Sequence, residues 1–141
     1  MPFSVNFTAR GHPNVLSTHK TTFMTTMEDE LSRRGNCIIV VGAEMGLRGM
    51  PDEAKRLARH EETRITFKLI VDDLVFETQG YGHPDLEYTD SIDMVARRSS
   101  YTCGRTLMIG SDKTSMNIPA SVVDALKNPE TTVQIEITYE K

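Results

Sequence analysis

The feature that most limits how this chain can fold is an alternation of apolar and polar residues with a period of two. The clearest alternating runs lie at 3–9, 65–71 and 133–139. Such alternation is typical of β-strands with one face on a core and the other toward solvent. Other apolar or threonine-rich runs bring the predicted number of strands to about eight; they lie at 18–27, 37–41, 74–79, 91–97 and 106–109. We therefore predict a mainly β fold.

Two short segments, 51–60 and 119–127, break this pattern and predict helices. Each opens with a proline, which suits the first position of a helix. The first segment also carries acids early and bases late, which matches the helix dipole. Between two of the predicted strands, Asp72 and Asp73 indicate a tight turn, so these strands are expected to form a hairpin.

The two halves of the chain carry the same landmarks in the same order. Gly-His-Pro at 11–13 recurs at 82–84, and Val-Gly-Ala-Glu at 41–44 recurs as Ile-Gly-Ser-Asp at 109–112. A repeat of about 70 residues is too long for a solenoid unit. We interpret residues 1–141 as one domain made of two pseudo-repeats, about 3–72 and 74–140. The predicted architecture is an internally duplicated β-sandwich or closed barrel-like domain with two short helices.

Composition narrows the class of protein further. Hydrophobic residues make up 38% of the chain, which is enough for a core, and the net charge is −4. An acidic total argues against nucleic-acid binding through a broadly basic surface. No apolar run is long enough for a membrane span, and residues 1–10 lack a signal-peptide pattern, so we predict a cytoplasmic protein without membrane contact. Two cysteines are too few for a disulfide scaffold.

Four segments carry a resemblance to a known family. They read HKTT at 19–22, GNCIIVVGAE at 35–44, RRSSYTCGRTL at 97–107 and SDKTSMNIP at 111–119. With the first Gly-His-Pro turn they resemble an archaeal family of uncharacterised proteins, domain of unknown function 371, over nearly the whole chain. The family pattern has Asp, Gly and Asp where this chain has Asn36, Val40 and Asn117. The resemblance implies an archaeal source and a mostly β, sandwich-like domain, but no established activity.

The two Gly-His-Pro turns are the first candidate site. The glycine permits a positive φ angle, and the proline fixes the turn that follows. If a pseudo-two-fold axis relates the halves, His12 and His83 occupy equivalent places and their turns converge. An imidazole at such a place can bind a metal or shuttle a proton. Alternatively, the ring only bonds backbone groups of the turn. We predict no metal site, because no short-range set of four nitrogen or sulfur ligands is present.

The loops after two buried strands form the second candidate. Glu44 lies in one loop, and Asp112 lies beside Lys113 in the other. An acid beside a lysine can orient or deprotonate a substrate. The alternative is that the acid accepts hydrogen bonds from backbone N–H groups and shapes its loop.

A third candidate consists of basic residues: His19 and Lys20 on the predicted long strand at 18–27, and Arg98 and Arg105, which flank a loop. Arginine binds phosphate or carboxylate with a bidentate fork, so several such groups together would make an anion pocket. Basic residues on strands also protect sheet edges, and the sequence does not decide between these roles.

Three functions remain open from the sequence. The first is binding of a small anionic or phosphorylated ligand, or catalysis on it, at a pseudo-two-fold site. Its candidate residues are His12, His19, Lys20, His83, Arg98, Arg105, Asp112 and Lys113. The second is a non-catalytic interaction module that uses a strand edge or a methionine-rich patch, and the third and weakest is nucleic-acid binding. The sequence assigns no cofactor, leaves the question of catalysis open and is compatible with an oligomer.

Overall fold

The computed structural model describes residues 2–141, which form eight strands and two α-helices. The strands are β1 (Phe3–Arg10), β2 (Thr22–Thr26), β3 (Ile38–Val40), β4 (Arg64–Val71), β5 (Leu74–Tyr81), β6 (Asp93–Arg97), β7 (Thr106–Met108) and β8 (Thr132–Glu140). The helices are α1 (Asp52–Ala58) and α2 (Ala120–Leu126), and single 3-10 turns lie at Leu47–Gly49 and Ser115–Asn117. The predicted mainly β fold with two short helices is confirmed. Neither described helix is long and apolar enough to cross a membrane.

The strands form two four-stranded sheets. The first sheet is antiparallel with the order β1-β8-β4-β5, and the second is mixed with the order β3-β2-β6-β7. They pack through aromatic side chains, since Phe23 of β2 lies 4.8 Å from Phe67 and 6.2 Å from Phe76 between ring centroids. This is the sandwich alternative of our prediction.

The closed barrel alternative is wrong. Within the described residues, the two sheets are linked at two corners by isolated bridges, Arg10 with Val41 and Tyr81 with Ile109. The outer strands of the second sheet, β3 and β7, have only three residues each. They are too short to carry a continuous ladder of hydrogen bonds around the corner from one sheet to the other.

The hairpin between β4 and β5 forms where the sequence predicts it. Val71 pairs with Leu74, so Asp72 and Asp73 alone make the connection. Asp72 has a φ of 51°, in the left-handed region that aspartate tolerates better than most residues.

The predicted long strand at 18–27 is shorter than expected. Only Thr22–Thr26 is a strand, because the chain turns at His19. The ring Nδ1 of His19 accepts hydrogen bonds from the backbone N–H groups of Thr21 and Thr22, at 3.2 and 3.1 Å. A side chain that satisfies these two donors offers the backbone an alternative to the sheet ladder.

The elements follow the same order in both halves, but the halves interleave. Each half runs through a strand, a Gly-His-Pro turn, two shorter strands, a 3-10 turn, a helix and a long strand. Strand β8 of the second half lies between β1 and β4 of the first half. This order supports two pseudo-repeats, and a duplication of the chain stays a prediction.

A pair of buried tyrosines lies in the core. The hydroxyl of Tyr88 donates to the backbone carbonyl of Leu107 at 2.8 Å, and it lies 2.9 Å from the hydroxyl of Tyr139. Because Tyr88 uses its proton on Leu107, Tyr139 is the donor within the pair. Both side chains are buried, and this burial raises the pKa of each phenol.

The two tyrosines are expected to contribute unequally to stability. Tyr88→Phe removes the hydrogen bond to the Leu107 carbonyl and the acceptor of the Tyr139 hydroxyl, so it should lower the free energy of unfolding by about 1–3 kcal/mol. Tyr139→Phe leaves the bond to Leu107 intact and should cost about 1 kcal/mol or less. Urea denaturation of both variants measures this difference. The exposed Tyr81→Phe serves as the control, and equal losses at positions 88 and 139 would contradict the bonding pattern.

Candidate functional site

The two Gly-His-Pro turns lie at diagonally opposite corners of the first sheet. The turn with His12 follows β1, and the turn with His83 follows β5; these are the two outer strands. Arg10 is level with Thr132 at the start of β8, whereas Tyr81 is level with Glu140 at its end. The length of β8 therefore separates the turns, about 26 Å at ~3.3 Å per residue. The expected convergence of the two turns is wrong, because the strand register places the last residue of β1 and the last residue of β5 at opposite ends of the sheet.

Each turn instead closes onto the helix of the other half. The backbone N–H of His12 donates to the carbonyl of Leu126 at the end of α2, and that of His83 donates to Ala58 at the end of α1. A Cβ on Gly11 or Gly82 would overlap carbonyl oxygens at these helix ends. The two glycines are therefore needed for close approach. Neither glycine has the positive φ angle that this residue type permits.

The imidazoles of both turns are engaged by their own backbone. Nδ1 of His12 accepts a hydrogen bond from the N–H of Asn14 at 3.0 Å, and Nδ1 of His83 accepts one from Asp85 at 3.0 Å. An accepting Nδ1 places the proton of the neutral ring on Nε2. Nε2 then cannot act as a base unless the turn gives up its bond. This geometry favours the structural alternative that the sequence left open.

The two acidic loops cover the edges of the first sheet. Glu44 accepts hydrogen bonds from the N–H and the hydroxyl of Thr8 on β1, at 2.6 and 2.9 Å. Asp112 accepts from Gln79 on β5 at 3.0 Å and from the hydroxyl of Thr78. In return, the backbone N–H groups of both acids donate to these edge strands. The outward N–H and C=O groups of Thr8 and of Gln79, which could otherwise bond to another strand, are thereby occupied.

Hydrogen bonding keeps both acids ionised. The bonds from Thr8 lower the pKa of Glu44. Desolvation on its own raises the pKa of Asp112, but the bonds from Thr78 and Gln79 and the charge of Lys113 outweigh it and lower the pKa. Both carboxylates thus serve as acceptors that hold the edges.

Lys113 also lies against the edge of β5. Its ammonium donates to the carbonyl of Glu77 at 2.9 Å and lies 5.8 Å from the ring centroid of Phe76. Arg105 directly precedes β7 and forms an ion pair of 3.5 Å with Asp93, the first residue of β6. The charge of Arg105 is therefore compensated within the protein, and this residue lies apart from the other basic candidates.

His19, Lys20 and Arg98 do come together, around the second 3-10 turn. The hydroxyl of Thr114 donates to the carbonyls of His19 and Lys20, at 3.2 and 3.1 Å. Asn117 accepts from the backbone N–H of Thr114 at 2.8 Å and from the guanidinium of Arg98 at 3.1 Å. We call these five residues the basic loop cluster. It joins residues 19–20 to residues between 98 and 117, which lie more than 70 residues further along the chain.

The cluster carries positive charge without a compensating carboxylate. Among the residues that the structure describes, neither Lys20 nor Arg98 has an acidic oxygen within 4.0 Å, and both side chains are exposed. The partner of Arg98 is the neutral amide of Asn117, which orients the guanidinium and leaves its charge in place. Thr114 is buried, so the network that holds this amide is anchored in the protein.

Arg97 and Cys103 form a polar pair that the sequence did not reveal. Arg97 donates to the Cys103 sulfur at 3.4 Å and to the Thr106 hydroxyl at 2.9 Å, and lies over the ring of Tyr101 at 4.8 Å. The six-residue spacing of Arg97 and Cys103 could have suggested a contact only if the intervening loop had been known to fold back. In residues 2–141, no three His, Cys, Asp or Glu side chains group closely enough to hold a metal.

The fold and the loops define a two-sheet β domain whose candidate site is a basic cluster built from loops. The chain belongs to the family described as Domain of unknown function (DUF371), whose sequence pattern matches residues 7–140. It is also 39% identical to the uncharacterised protein MJ0206 of the archaeon Methanocaldococcus jannaschii over 119 residues, which cover 84% of this chain and 87% of that protein. The resemblance noted from the sequence is confirmed.

The turn at His19 offers a test of its structural role. At the matching turn of the second half, Asp90 accepts from the N–H groups of Ile92 and Asp93 with its carboxylate. His19→Asn supplies a similar acceptor and should keep the stability of the parent protein, whereas His19→Ala should lose about 1 kcal/mol. Chemical denaturation at pH 7 measures both values. Equal losses in the two variants would show that the ring itself, and not its acceptor atom, is what matters.

The two thiols are expected to differ in reactivity. Burial raises the pKa of Cys37. Partial burial also raises that of Cys103, but hydrogen bonds, including one from Arg97, and the arginine's charge outweigh it and lower the pKa. Iodoacetamide at pH 7.5 should therefore alkylate Cys103 at least about fivefold faster than Cys37, as followed by mass spectrometry.

The variant Arg97→Gln provides the control for the thiol comparison. It should slow the alkylation of Cys103 and leave that of Cys37 unchanged, because the positive charge stabilises only the nearby thiolate. Faster labelling of Cys37 in the parent protein would contradict the assigned environments.

Proposed function

We propose that this protein binds a small anionic ligand, with a phosphate or carboxylate group, at the basic loop cluster. The observation that carries the proposal is the setting of Arg98, whose guanidinium is oriented by an amide and has no acidic partner among the described residues. A guanidinium has five N–H donors in a fixed plane. One donor occupied by Asn117 leaves others for a bidentate bond to an anion.

Lys20 adds a second positive charge to the same cluster. Its backbone carbonyl is tied to Thr114, so the start of its side chain is held beside the loop that carries Asn117. A flexible ammonium next to an oriented guanidinium suits a phosphate, which accepts hydrogen bonds on several oxygens. Of the original candidates, Lys20 and Arg98 thus remain as proposed ligand contacts, and His19 positions the backbone between them.

The environments of the other candidates support structural roles. Asp112 and Lys113 bond to the edge strand β5, Arg105 pairs with Asp93, and the two Gly-His-Pro histidines shape their turns. The engaged groups of Thr8 and Gln79 at the edges of the first sheet also make the alternative of an interaction module that pairs strands less favourable. The proposal concerns binding, and nothing in the cluster supplies an oriented general base for catalysis.

The proposal is tested by titrating the 15N-labelled protein with inorganic phosphate, with sodium chloride at matched ionic strength as the reference. We expect saturable shifts of backbone amides at 19–22, 98 and 114–117. Arg98→Gln and Lys20→Gln should each weaken phosphate binding about fivefold to tenfold, which corresponds to about 1–1.4 kcal/mol. Arg34→Gln, which removes an exposed charge from another loop, should leave the affinity unchanged.

Asn117→Asp provides a sharper variant, because it keeps an oxygen acceptor for Thr114 while it places a carboxylate next to Arg98. It should preserve thermal stability and abolish phosphate binding, since the guanidinium becomes ion-paired. Shifts that follow ionic strength alone, or an equal loss of affinity in Arg34→Gln, would overturn the proposed site.

A further inference from the structure

A cavity of about 270 Å³ lies beside the first 3-10 turn, apart from the basic loop cluster. Its lining includes Met27, Glu44, Met45, Gly46, Arg48 and Ser91. We call it the methionine cavity. Of its lining residues, only Glu44 belongs to a motif discussed above.

The methionine cavity occupies the place in the first half that the basic loop cluster occupies in the second. The N–H of Arg48 donates to the carbonyl of Asp90 at 2.8 Å, as the N–H of Met116 donates to His19 at 3.1 Å. The backbone frame around the two 3-10 turns is therefore alike. Their side chains differ, so the two places are suited to different ligands.

One difference lies at the residue before each 3-10 turn. In the second half, the side chain of Thr114 bridges to the neighbouring loop through the carbonyls of His19 and Lys20. In the first half this residue is Gly46, and a Cβ there would come within 2.5–2.7 Å of the backbone of Ser91 and Ile92. The two loops therefore meet backbone to backbone, and no side chain at position 46 fills the space beside them.

Part of the wall of the methionine cavity is apolar and accessible. Met27 is 39% exposed, and the neighbouring Ile92 is 40% exposed. Met27 directly follows β2 and Ile92 directly precedes β6, and the Met27 N–H donates a hydrogen bond to the Ile92 carbonyl at 3.0 Å. Methionine side chains are flexible and polarisable, so they adapt to apolar groups of different shape.

Two opposite charges lie at the methionine cavity without pairing to each other. Among the described residues, Arg48 has no carboxylate oxygen within 4.0 Å, and its guanidinium is exposed. Glu44 is held in place through one carboxylate oxygen by Thr8. Its other oxygen makes no hydrogen bond within residues 2–141 and can accept one from a ligand.

We propose that the methionine cavity binds a free apolar α-amino acid. Arg48 pairs with the carboxylate of the ligand, Glu44 accepts a hydrogen bond from its ammonium group, and the methionines contact its side chain. The positive group, the negative group and the apolar part of the wall match the carboxylate, the ammonium group and the side chain of such a molecule. The volume lies at the small end of ligand pockets, which suits a single amino acid and not a nucleotide.

The test uses 15N-labelled full-length protein and three probes with the same branched side chain. L-leucine carries both charges, 4-methylpentanoate lacks the ammonium group, and 3-methylbutylamine lacks the carboxylate. We expect saturable shifts at the backbone amides of Met27, Met45 and Arg48 with L-leucine, and at least about tenfold weaker binding of both analogues. Absence of shifts at these residues, or equal binding of all three probes, would overturn the proposal.

Substitution of the exposed arginine then separates charge recognition from apolar contact. Arg48→Gln should lower the affinity for L-leucine at least about fivefold and leave the affinity for 3-methylbutylamine unchanged. Arg33→Gln, which removes an exposed charge from a different loop, should change neither value. Undiminished binding of L-leucine by Arg48→Gln would refute the assigned carboxylate contact.

Discussion

The structure depends on the reciprocal closure of each half onto the helix end of the other. The last carbonyls of a helix have no partners within it, and here the N–H groups of His12 and His83 reach two of them across the boundary between the halves. The close approach is possible because Gly11 and Gly82 carry no side chain. A larger residue at either glycine would push a turn away from its helix. The placement of the outer strand before that turn, relative to the helix of the other half, would then be lost.

The same interleaving sets where the two proposed ligand sites lie. With the strand edges of the first sheet held by Glu44 and Asp112, the loops around the two 3-10 turns retain polar groups that are not committed to the fold. One loop region presents Arg98 and Lys20, and the other presents Arg48 above methionines. Similar backbone frames thus carry different chemistry, because a few side chains differ while the hydrogen bonds between loops remain.

Local pattern was sufficient to predict most of the elements. Alternation predicted three of the strands, apolar and threonine-rich runs predicted the other five, the prolines placed the two helices, and the Asp72–Asp73 pair indicated the hairpin. Features that depend on strand register could not be predicted. The two Gly-His-Pro turns hold equivalent positions in the two halves and suggested a shared site, whereas antiparallel pairing through β8 places them at opposite corners of the first sheet. His19, Lys20 and Arg98 of the basic loop cluster were candidates from the sequence, but their assembly around Thr114 and Asn117 was not predicted. Those contacts join segments that are distant in the chain, and no local sequence pattern indicates them.

The position of β8 has a consequence during synthesis of the protein. This strand is the central partner of both β1 and β4, yet its residues, 132–140, leave the ribosome after all the others that pair in the first sheet. Until then, β1 lacks this neighbour along eight residues of backbone and β4 along seven. The facing edges of β1 and β4 therefore stay open until β8 has been synthesised, and open edges are places where two unfinished chains can pair with each other.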